Sequence, residues 1–464
     1  MNINQKQIID GNIAERLRAA LPIDSVQDTP EALIAYGYDG ATAISGAPEV
    51  VVNVRSEEDV VIVLRLAQET KTPVYPRGAG TGLAGGSTPF GGIALNLAPM
   101  RKILEIDTES LMAVVEPGVV TADFQAEVEK LGLFYPPDPA SLKQSTLGGN
   151  VATGAGGPRC LKYGTTREYV RGIRAVLPGG NVISDGGMYL KNASGYNLSQ
   201  LFVGTEGTLG VVSQVTLRLL PRPATTGTAL ALFPHLDDAS SLVNKILGAG
   251  ILPSVIEFMD HLAIQCVEQA WSLGIPEDIE AMVLLECDGD PAAVEAELGR
   301  VCDLCTESGV SEVQTASTPE ERDRLWKVRR SVSPSLARLK PAKLGEDISL
   351  PRRAIVPMVR RIQQIAKEFD VMIPTFGHIG DGNLHPNMVY DPRDNEEMRR
   401  VELAAEALIR SAVEYGGTLS GEHGIGLLKR EYLPLAVAHK NLEIFRGIKA
   451  VFDPLGIMNP GKIM

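Results

Sequence analysis

The chain has 464 residues, of which 44% are hydrophobic and 22% are charged, the composition of an ordinary globular protein. This length exceeds what one hydrophobic core usually organises, so we expect two domains. The formal net charge of -13 is not offset by any Lys/Arg-rich run, which argues against nucleic acid as a partner. No apolar run reaches the roughly 18 to 20 residues that span a bilayer, so we do not expect a transmembrane protein.

The N-terminal segment and the cysteines indicate the cellular compartment that we expect for the protein. Met1–Leu17 has no apolar signal-peptide core, and the five cysteines form no disulfide or metal framework. We therefore expect a cytoplasmic protein, either free or peripheral to the membrane through a partner. Cys302 and Cys305 make a lone CxxC pair inside a predicted helix, and we interpret them as ordinary helix residues.

The pattern of apolar and glycine residues changes along the chain. From about Glu49 to Pro223, short β-branched runs alternate with Gly-rich loops and a few helical patterns, which predicts an α+β domain. From about Ala224 to Asp370, apolar strands alternate with long amphipathic stretches, which predicts a second sheet backed by helices. Two further helices are predicted near Glu396–Tyr415 and Leu427–Phe452.

The first glycine-rich loop ends a predicted strand in Pro73–Leu83. Gly78, Gly80 and Gly82 alternate with small residues there, so consecutive backbone N–H groups can approach a pyrophosphate closely. A Rossmann site would instead need GxGxxG at the start of a helix, whereas this spacing is GxGxG and a poor helix former follows. One such loop is a weak signal, because glycine clusters are more often plain turns.

Two more glycine-rich loops strengthen the signal. They are Ser145–Asn150, which follows the run Pro136–Pro139, and Gly204–Gly210. Packing alone does not require three such loops. Their hydroxyl and amide side chains, beside backbone N–H donors, provide the groups that a flavin ring and a diphosphate need. These side chains belong to Ser145, Thr146, Asn150 and Thr205.

These loops carry a resemblance to a known family. The segments PRGAGTGLAGG, PPDPASLKQSTLGGNVATGAGG, LKYGTTREYV, GTEGTLGVV and FDPLGIMNPGK resemble the FAD-binding domain of the vanillyl-alcohol-oxidase superfamily, in its branch of 2-hydroxy-acid dehydrogenases. The resemblance covers nearly the whole chain and is nearest to glycolate oxidase FAD-linked catalytic subunits and D-lactate dehydrogenases. It implies a two-domain α+β fold, in which residues 1–223 and a C-terminal return over 416–464 bind FAD. Residues 224–415 would form an α+β cap domain for the substrate and carry part of the metal site.

The resemblance also implies which residues contact FAD. They are Pro76, Arg77, Gly78, Ala79, Gly80, Thr81, Gly82, Leu83, Pro137, Ser145, Thr146, Gly149, Asn150, Gly156, Gly157, Tyr163, Gly204, Glu206, Gly207, Gly210, Val211 and Asn459. Some superfamily members tether FAD through a His in the first loop or a Cys in the second. This chain has no His before His235, and Cys160 is interpreted as an inert neighbour, so we expect non-covalent FAD.

Three of the six histidines fall in two glycine-rich segments, Gly377–His385 and Ser420–Gly424. If the glycines of the first segment make a turn, its arms pair and bring His378 and His385 to face one point. Glu422 can then complete a two-His-one-carboxylate set for a divalent ion such as Zn, Mn or Fe. A single His in such a turn is more often a loop residue, but two motifs together favour a metal site.

The resemblance assigns roles to these residues and to the substrate contacts. It implies that His378, His385 and Glu422 are metal ligands, that His423 is the general base, and that Arg329 binds the substrate carboxylate. Most arginines on an amphipathic helix are solvated, so the sequence alone would not single out Arg329. Further substrate candidates are Ser333, Lys343 and Asn383, the last of which is equally well explained as a turn residue.

The predicted chemistry is flavin-coupled oxidation. A similar ligand set occurs in iron oxygenases, and the three flavin loops decide between the two. We expect a small 2-hydroxy acid, glycolate or D-lactate before D-2-hydroxyglutarate or D-malate, to chelate the metal, lose its hydroxyl proton to His423 and pass a hydride to flavin N5.

Other functions stay open at this point. A non-catalytic flavin-carrying subunit of an oxidase complex would have no reason to keep both His motifs, and an alkylglycerone-phosphate synthase would need more basic residues. No nicotinamide fingerprint or cysteine set for an iron–sulfur cluster is present. The electron acceptor is therefore an iron–sulfur subunit, an electron-transferring flavoprotein, a quinone or oxygen.

Overall fold

The computed structural model describes residues 12–41 and 43–464. Most of Met1–Leu17, on which the expected compartment partly rests, lies outside the described residues. Among the described helices, none combines the length and the apolar character that crossing a bilayer requires.

The first half of the described chain is built on two main sheets. In chain order its elements are α1 (Ile13–Ala20), β1 (Val26–Gln27), α2 (Pro30–Ala35), β2 (Val50–Asn53), α3 (Glu57–Thr70), β3 (Val74–Arg77), β4 (Ile93–Asn96), β5 (Ile103–Asp107), β6 (Met112–Val115), α4 (Thr121–Glu129), β7 (Leu133–Phe134), α5 (Leu147–Thr153), α6 (Cys160–Tyr163), α7 (Thr166–Tyr169), β8 (Val170–Val176), β9 (Val182–Gly186), α8 (Leu198–Phe202), β10 (Val211–Arg218) and β11 (Leu220–Pro221). One sheet has the order β1-β2-β4-β3, and the other has the order β5-β6-β10-β8-β9. Strands β7 and β11 form a separate pair.

The parallel part of the first sheet places the first glycine-rich loop. Strands β2 and β3 both pair in parallel with β4, and Val50–Val52 and Ile93–Leu95 are buried. Such continuous apolar runs are typical of parallel strands covered on both faces. The loop that begins at Gly78 leaves the end of β3, which lies beside these buried strands and buries Val74 and Tyr75.

The second half of the described chain forms one larger sheet. Its elements are β12 (Thr225–Phe233), α9 (Leu236–Gly248), β13 (Val255–Asp260), α10 (His261–Trp271), β14 (Ala281–Gly289), α11 (Pro291–Glu307), β15 (Glu312–Ala316), α12 (Pro319–Arg330), α13 (Val332–Leu336), β16 (Ala342–Gly345), β17 (Ile348–Ser349), α14 (Ile355–Phe369), β18 (Thr375–His378), β19 (Asn383–Tyr390), α15 (Asn395–Glu414), α16 (Leu433–Ala436) and α17 (His439–Phe452). The strand order is β15-β12-β14-β13-β18-β19-β16, and β17 also pairs with β19.

Helices cover both faces of this larger sheet. Ala231 and Phe233 of β12 pack into a core with α9, α11, α14 and α15, whereas Leu230 and Leu232 pack into a core with α10, α12 and α13. Alternate residues of a strand point to opposite faces, so β12 has apolar residues at every position from Ala229 to Phe233. The predicted sheet backed by helices is confirmed, and Cys302 and Cys305 lie in α11 as predicted.

The helix predicted over Leu427–Phe452 is wrong in extent. Pro434 is the second residue of the short α16, and Val437 is extended before α17 starts, so the helix is broken. Proline lacks the N–H that a continuing helix would use, and this favours a new start at that point. Helix α17 returns to the first half of the chain, where Phe452 packs edge-on against Phe202 with ring centroids 5.5 Å apart.

Candidate active site

A cleft of about 520 Å³ opens between the three glycine-rich loops. This volume lies in the range of small-molecule and cofactor sites. Sixteen of the predicted FAD contacts line it: Pro76, Arg77, Gly78, Ala79, Gly80, Thr81, Gly82, Leu83, Ser145, Thr146, Gly149, Asn150, Glu206, Gly207, Gly210 and Val211. The cleft therefore fits a ligand that touches all three loops at once, as an extended dinucleotide would.

The remaining predicted FAD contacts lie outside this lining. They are Pro137, Gly156, Gly157, Tyr163, Gly204 and Asn459. The Asn459 side chain donates hydrogen bonds to the carbonyls of Gly86 (2.8 Å) and Glu206 (2.6 Å). The Tyr163 hydroxyl donates to Asp288 Oδ2 at 2.9 Å. Asn459 thus links the segment after the first loop to the third loop without lining the cleft. Tyr163 instead contacts the second half of the chain.

The first and second loops are packed tightly together. A Cβ atom at Gly78 would overlap Thr146 Oγ1, so the first loop can approach the second only without a side chain. Thr146 is also the N-cap of α5, and its hydroxyl accepts a hydrogen bond from Gly149 N at 3.3 Å. The second loop is therefore the start of a short helix, whose first N–H groups are held by the carbonyls of Val119 and Pro117 and by the Thr146 hydroxyl.

Sequence reasoning missed several residues of the cleft. Asp39 lines it, and its carboxylate accepts hydrogen bonds from Ala41 N (2.9 Å) and Ser87 N (3.2 Å). Burial raises the pKa of Asp39 above its ordinary value. The segment around Asp39 has no motif that would have marked it. Arg330 and Pro334 also line the cleft, next to residues that were predicted.

The hairpin predicted around the first His motif is present. Strands β18 and β19 pair with Phe376 opposite His385 and His378 opposite Asn383. The two imidazole rings lie 5.1 Å apart between centroids. Glu422 Oε1 lies 3.4 Å from His378 Nε2 and 3.5 Å from His385 Nε2.

The three predicted metal ligands are therefore close together. Their ligand atoms all lie within 4.8 Å of one another. Glu422 also lines the cleft, so this cluster borders the space between the glycine-rich loops. Two imidazoles and one carboxylate at this spacing are a donor set that suits a divalent transition metal.

A buried carboxylate that sequence reasoning missed stands behind His378. Glu257 of β13 is 1% exposed, and its Oε1 accepts a hydrogen bond from His378 Nδ1. Its Oε2 accepts from Arg329 Nε at 2.5 Å. Burial opposes a charged imidazole, but the carboxylates of Glu257 and Glu422 outweigh it and raise the pKa of His378 well above its ordinary value.

The pKa values of the other two members of the cluster are both lowered. Burial, followed by the nearby imidazoles of His378 and His423, lowers the pKa of His385 to about 3. Burial opposes ionisation of Glu422, but His378 and the other imidazoles outweigh it and lower its pKa to about 2. The cluster thus combines an ionised acid with a neutral His385, the protonation states in which both side chains bind a metal.

Asp347, His385 and His423 also lie close enough to hold a metal ion. The carboxylate of Asp347 is already occupied by four hydrogen bonds. Its donors are Ser420 Oγ (2.6 Å), Glu422 N (3.0 Å), His423 N (2.8 Å) and Asn383 Nδ2 (2.6 Å). We therefore interpret Asp347 as the support of the Ser420–Gly424 segment. Asn383, a predicted substrate contact, orients this support and does not line the cleft.

His423, the predicted base, is more open than the predicted ligands. Its side chain is 20% exposed, compared with 7% for His378 and 8% for His385. Its ring stacks on His385 with centroids 5.2 Å apart, and it lines the cleft. Glu206 of the third loop accepts hydrogen bonds from Ile425 N (2.8 Å) and Gly426 N (2.9 Å), which ties the His423 segment to the loop.

The predicted substrate residues fall into two groups. Lys343 Nζ donates to Ser333 Oγ at 2.6 Å, and Ser333 lines the cleft. Arg329 is bound to Glu257, and its guanidinium lies 4.6 Å from the centroid of the Phe376 ring. Neither Arg329 nor Lys343 lines the cleft directly.

Comparisons with known proteins show the family of the chain. Residues 48–186 match the family model of an FAD binding domain, and residues 222–463 match that of the C-terminal domain of FAD linked oxidases. Glycolate oxidase subunit GlcD of Bacillus subtilis (strain 168) is 41% identical over 457 residues, which cover 98% of this chain and 97% of the relative. D-lactate dehydrogenase of Anaerostipes hadrus is 36% identical over 429 residues, covering 90% of this chain and 89% of the relative.

A solved structure shows the same fold. 4-ethylphenol oxidase from Gulosibacter chungangensis, in its isoeugenol complex, matches with a TM-score of 0.80 at 20% identity. The match covers 97% of this chain and 96% of that chain. The predicted α+β fold class, with an FAD-binding part and a second part, is confirmed.

Proposed function

Since this chain belongs to the family of FAD-linked oxidases, we propose that it oxidises a small 2-hydroxy acid to the 2-keto acid, with glycolate or D-lactate as the favoured substrate. The observation that carries the proposal is the meeting of His378, His385 and Glu422 at the edge of the cleft. A D-2-hydroxyglutarate or D-malate dehydrogenase is the alternative within the same chemistry.

FAD is the cofactor of this family, and we propose that the three loops hold it without a covalent bond. The first loop offers no His for a tether. Cys160, beside Gly156, is a poor nucleophile, because burial and nearby carboxylates raise the pKa of its thiol well above the ordinary value. Residues 1–223 with 416–464 would form the FAD-binding part, and residues 224–415 the cap.

We further propose that His378, His385 and Glu422 hold a divalent cation. Nitrogen and oxygen donors of this kind admit Zn, Mn or Fe. When bound, FAD would accept the hydride, and the cation would act as a Lewis acid toward the hydroxyl of the substrate. His378 and His385 are buried, whereas Glu422 is partly exposed at the cleft, so a substrate in the cleft would reach the cation from the side of Glu422.

The chain's own residues would bind and deprotonate the substrate. The terminal nitrogens of Arg329, whose Nε is bound to Glu257, and the Ser333–Lys343 pair would donate hydrogen bonds to the carboxylate of a 2-hydroxy acid. His423 Nδ1 lies 3.9 Å from Asp347 Oδ2 and Nε2 lies 3.9 Å from Glu422 Oε1; Nε2 faces the proposed metal ligand and would take the hydroxyl proton of a substrate bound there.

A partner must accept the electrons. The similar glycolate oxidase GlcD of Bacillus subtilis is named as a subunit, and we propose that this chain also works with partner subunits. An iron–sulfur subunit, an electron-transferring flavoprotein, a quinone and oxygen are the candidate acceptors. A cytoplasmic location, free or attached to the membrane through that partner, stays a prediction.

Anaerobic bleaching of the flavin tests the proposal. The FAD-loaded protein is mixed with glycolate, D-lactate, D-2-hydroxyglutarate or D-malate, with and without a metal chelator, and with His378→Ala as a control. We expect at least one acid to bleach the flavin, and the chelator and the variant to prevent it. If no acid bleaches the flavin with metal present, a non-catalytic subunit explains the chain better. Bleaching that survives metal removal would refute the metal site alone.

A further inference from the structure

The proposed reaction assigns no role to Glu257, which lies next to the metal cluster. Phe258 of β13 pairs with Gly377 of β18, so the antiparallel register puts Glu257 opposite His378. Its side chain is almost completely buried, and each carboxylate oxygen accepts one hydrogen bond: Oε1 from His378 and Oε2 from Arg329. One acid thus contacts both a proposed metal ligand and the proposed substrate arginine.

We propose that Glu257 is a positioning residue that fixes the metal-binding nitrogen of His378 and holds Arg329 beside it. With a cation bound, the imidazole would be neutral and carry one N–H; the bond from Nδ1 to Glu257 keeps that N–H at Nδ1, so Nε2, on the side of Glu422, is the nitrogen left for the cation. Carboxylates in this position orient metal-binding histidines and raise their basicity. The inference rests on the proposed function and deepens its metal site.

Arg329 makes this buried carboxylate tolerable. A buried acid needs a partner of opposite charge, and Arg329 supplies it through Nε. Among the described residues, neither terminal nitrogen of Arg329 has a hydrogen-bond acceptor within the protein. These nitrogens therefore stay available for a substrate carboxylate, at a position set by the same acid that sets His378.

The neighbouring strand offers a matched control. Glu286 of β14 lies in register with Val255 of β13 and is also 1% exposed. It accepts hydrogen bonds from Arg322 at 2.6 and 2.8 Å and from Trp326 at 2.6 Å. Glu286 thus has the burial and the arginine of Glu257 but no histidine, so its loss should cost stability without touching the metal ligands.

The test compares Glu257→Gln with Glu286→Gln in the full-length, FAD-loaded protein. Each variant is stripped of metal and titrated with Mn²⁺, and the free ion is measured by electron paramagnetic resonance. We expect Glu257→Gln to bind Mn²⁺ about 10- to 100-fold more weakly than the wild type. Glu286→Gln should keep the wild-type affinity. Saturating Mn²⁺ should restore kcat in Glu257→Gln, whereas KM for the acid should stay raised, because Arg329 has lost its charged partner.

The outcomes separate this inference from the proposed function. Equal Mn²⁺ affinity in the two variants would overturn the role of Glu257 while leaving the metal site intact. If the wild type binds no Mn²⁺ or Zn²⁺, the proposed metal site is wrong and Glu257 has no ligand to position. Should Glu257→Gln fail to fold, Glu257→Asp keeps a negative charge near Arg329, but its shorter side chain draws the carboxylate back from both Arg329 and His378. Wild-type affinity in Glu257→Asp would likewise overturn the inference.

Discussion

Gly156 gives a direct test of how the FAD loops and the metal cluster share space. A Cβ atom at this position would lie 2.8 Å from Glu422 Oε2 and 3.0 Å from Cys160 Sγ, whereas ordinary contacts begin at 3.4 Å. In Gly156→Ala the carboxylate must therefore move by about 0.6 Å, the difference between 3.4 and 2.8 Å. It cannot move freely, because its other oxygen lies between His378 and His385.

The expected cost follows from this displacement. Inserting one methyl group into a well-packed site costs about 1–3 kcal/mol. If Glu422 bears that cost, the affinity for Mn²⁺ falls by roughly 5- to 150-fold. Gly156 does not line the cleft, so the FAD content should remain that of the wild type. The assay is the Mn²⁺ titration described for Glu257, combined with the ratio of flavin to protein absorbance.

Two controls sharpen the result. Gly299→Ala, in α11, adds a methyl group with no atom within 4 Å and should change neither quantity. In Gly156→Ala/Cys160→Ala the methyl group gains room where the thiol was, so part of the lost affinity should return. Wild-type metal affinity in Gly156→Ala would refute the reasoning, since it would mean that Glu422 can shift without leaving the ligand set.

Three further outcomes are expected. His423→Ala should retain FAD but lose substrate-dependent bleaching, and retained turnover would exclude it as the base. Gly78→Ala should weaken FAD binding, measured by the quenching of FAD fluorescence on reconstitution. Adding Thr146→Ala to Gly78→Ala should restore part of the affinity, because it removes the overlapping hydroxyl; additive losses in the double variant would contradict the predicted overlap. Burial lowers the pKa of Lys462 to about 8, so a charged Lys462 disfavours the folded state. The thermal midpoint of the wild type relative to Lys462→Met should therefore rise between pH 8 and 10.5, and a flat difference would contradict this.

The loops and the His hairpin were predictable because their chemistry depends on local sequence. Glycines at Gly78, Gly80 and Gly82 mark a close backbone approach wherever the loop is placed. The turn between His378 and His385 likewise fixes their relation through one hairpin register. These features need only short-range rules, and the structure brings them together.

The supporting residues could not be predicted in the same way. Glu257 sits in the run VIEFMD and Asp347 in GEDIS, and neither segment differs from an ordinary strand. Their importance comes from burial and from partners more than 70 residues away, such as Arg329 for Glu257 and Ser420 for Asp347. The family resemblance marks whole segments as FAD-binding. It therefore did not distinguish residues that line the cleft from residues such as Asn459, which hold the loops in place.

The charges around the cluster show why these supports matter. Glu257 is neutralised by Arg329, and Asp347 is stabilised by four hydrogen bonds with Lys429 nearby. Among the described residues, the partners of Glu422 within 4 Å are imidazoles, so its charge is not matched by a permanent cation. A divalent cation there would bring two positive charges against the single charge of Glu422. The surplus positive charge would then face the carboxylate of a monoanionic 2-hydroxy acid, which ties the choice of substrate to the occupancy of this site.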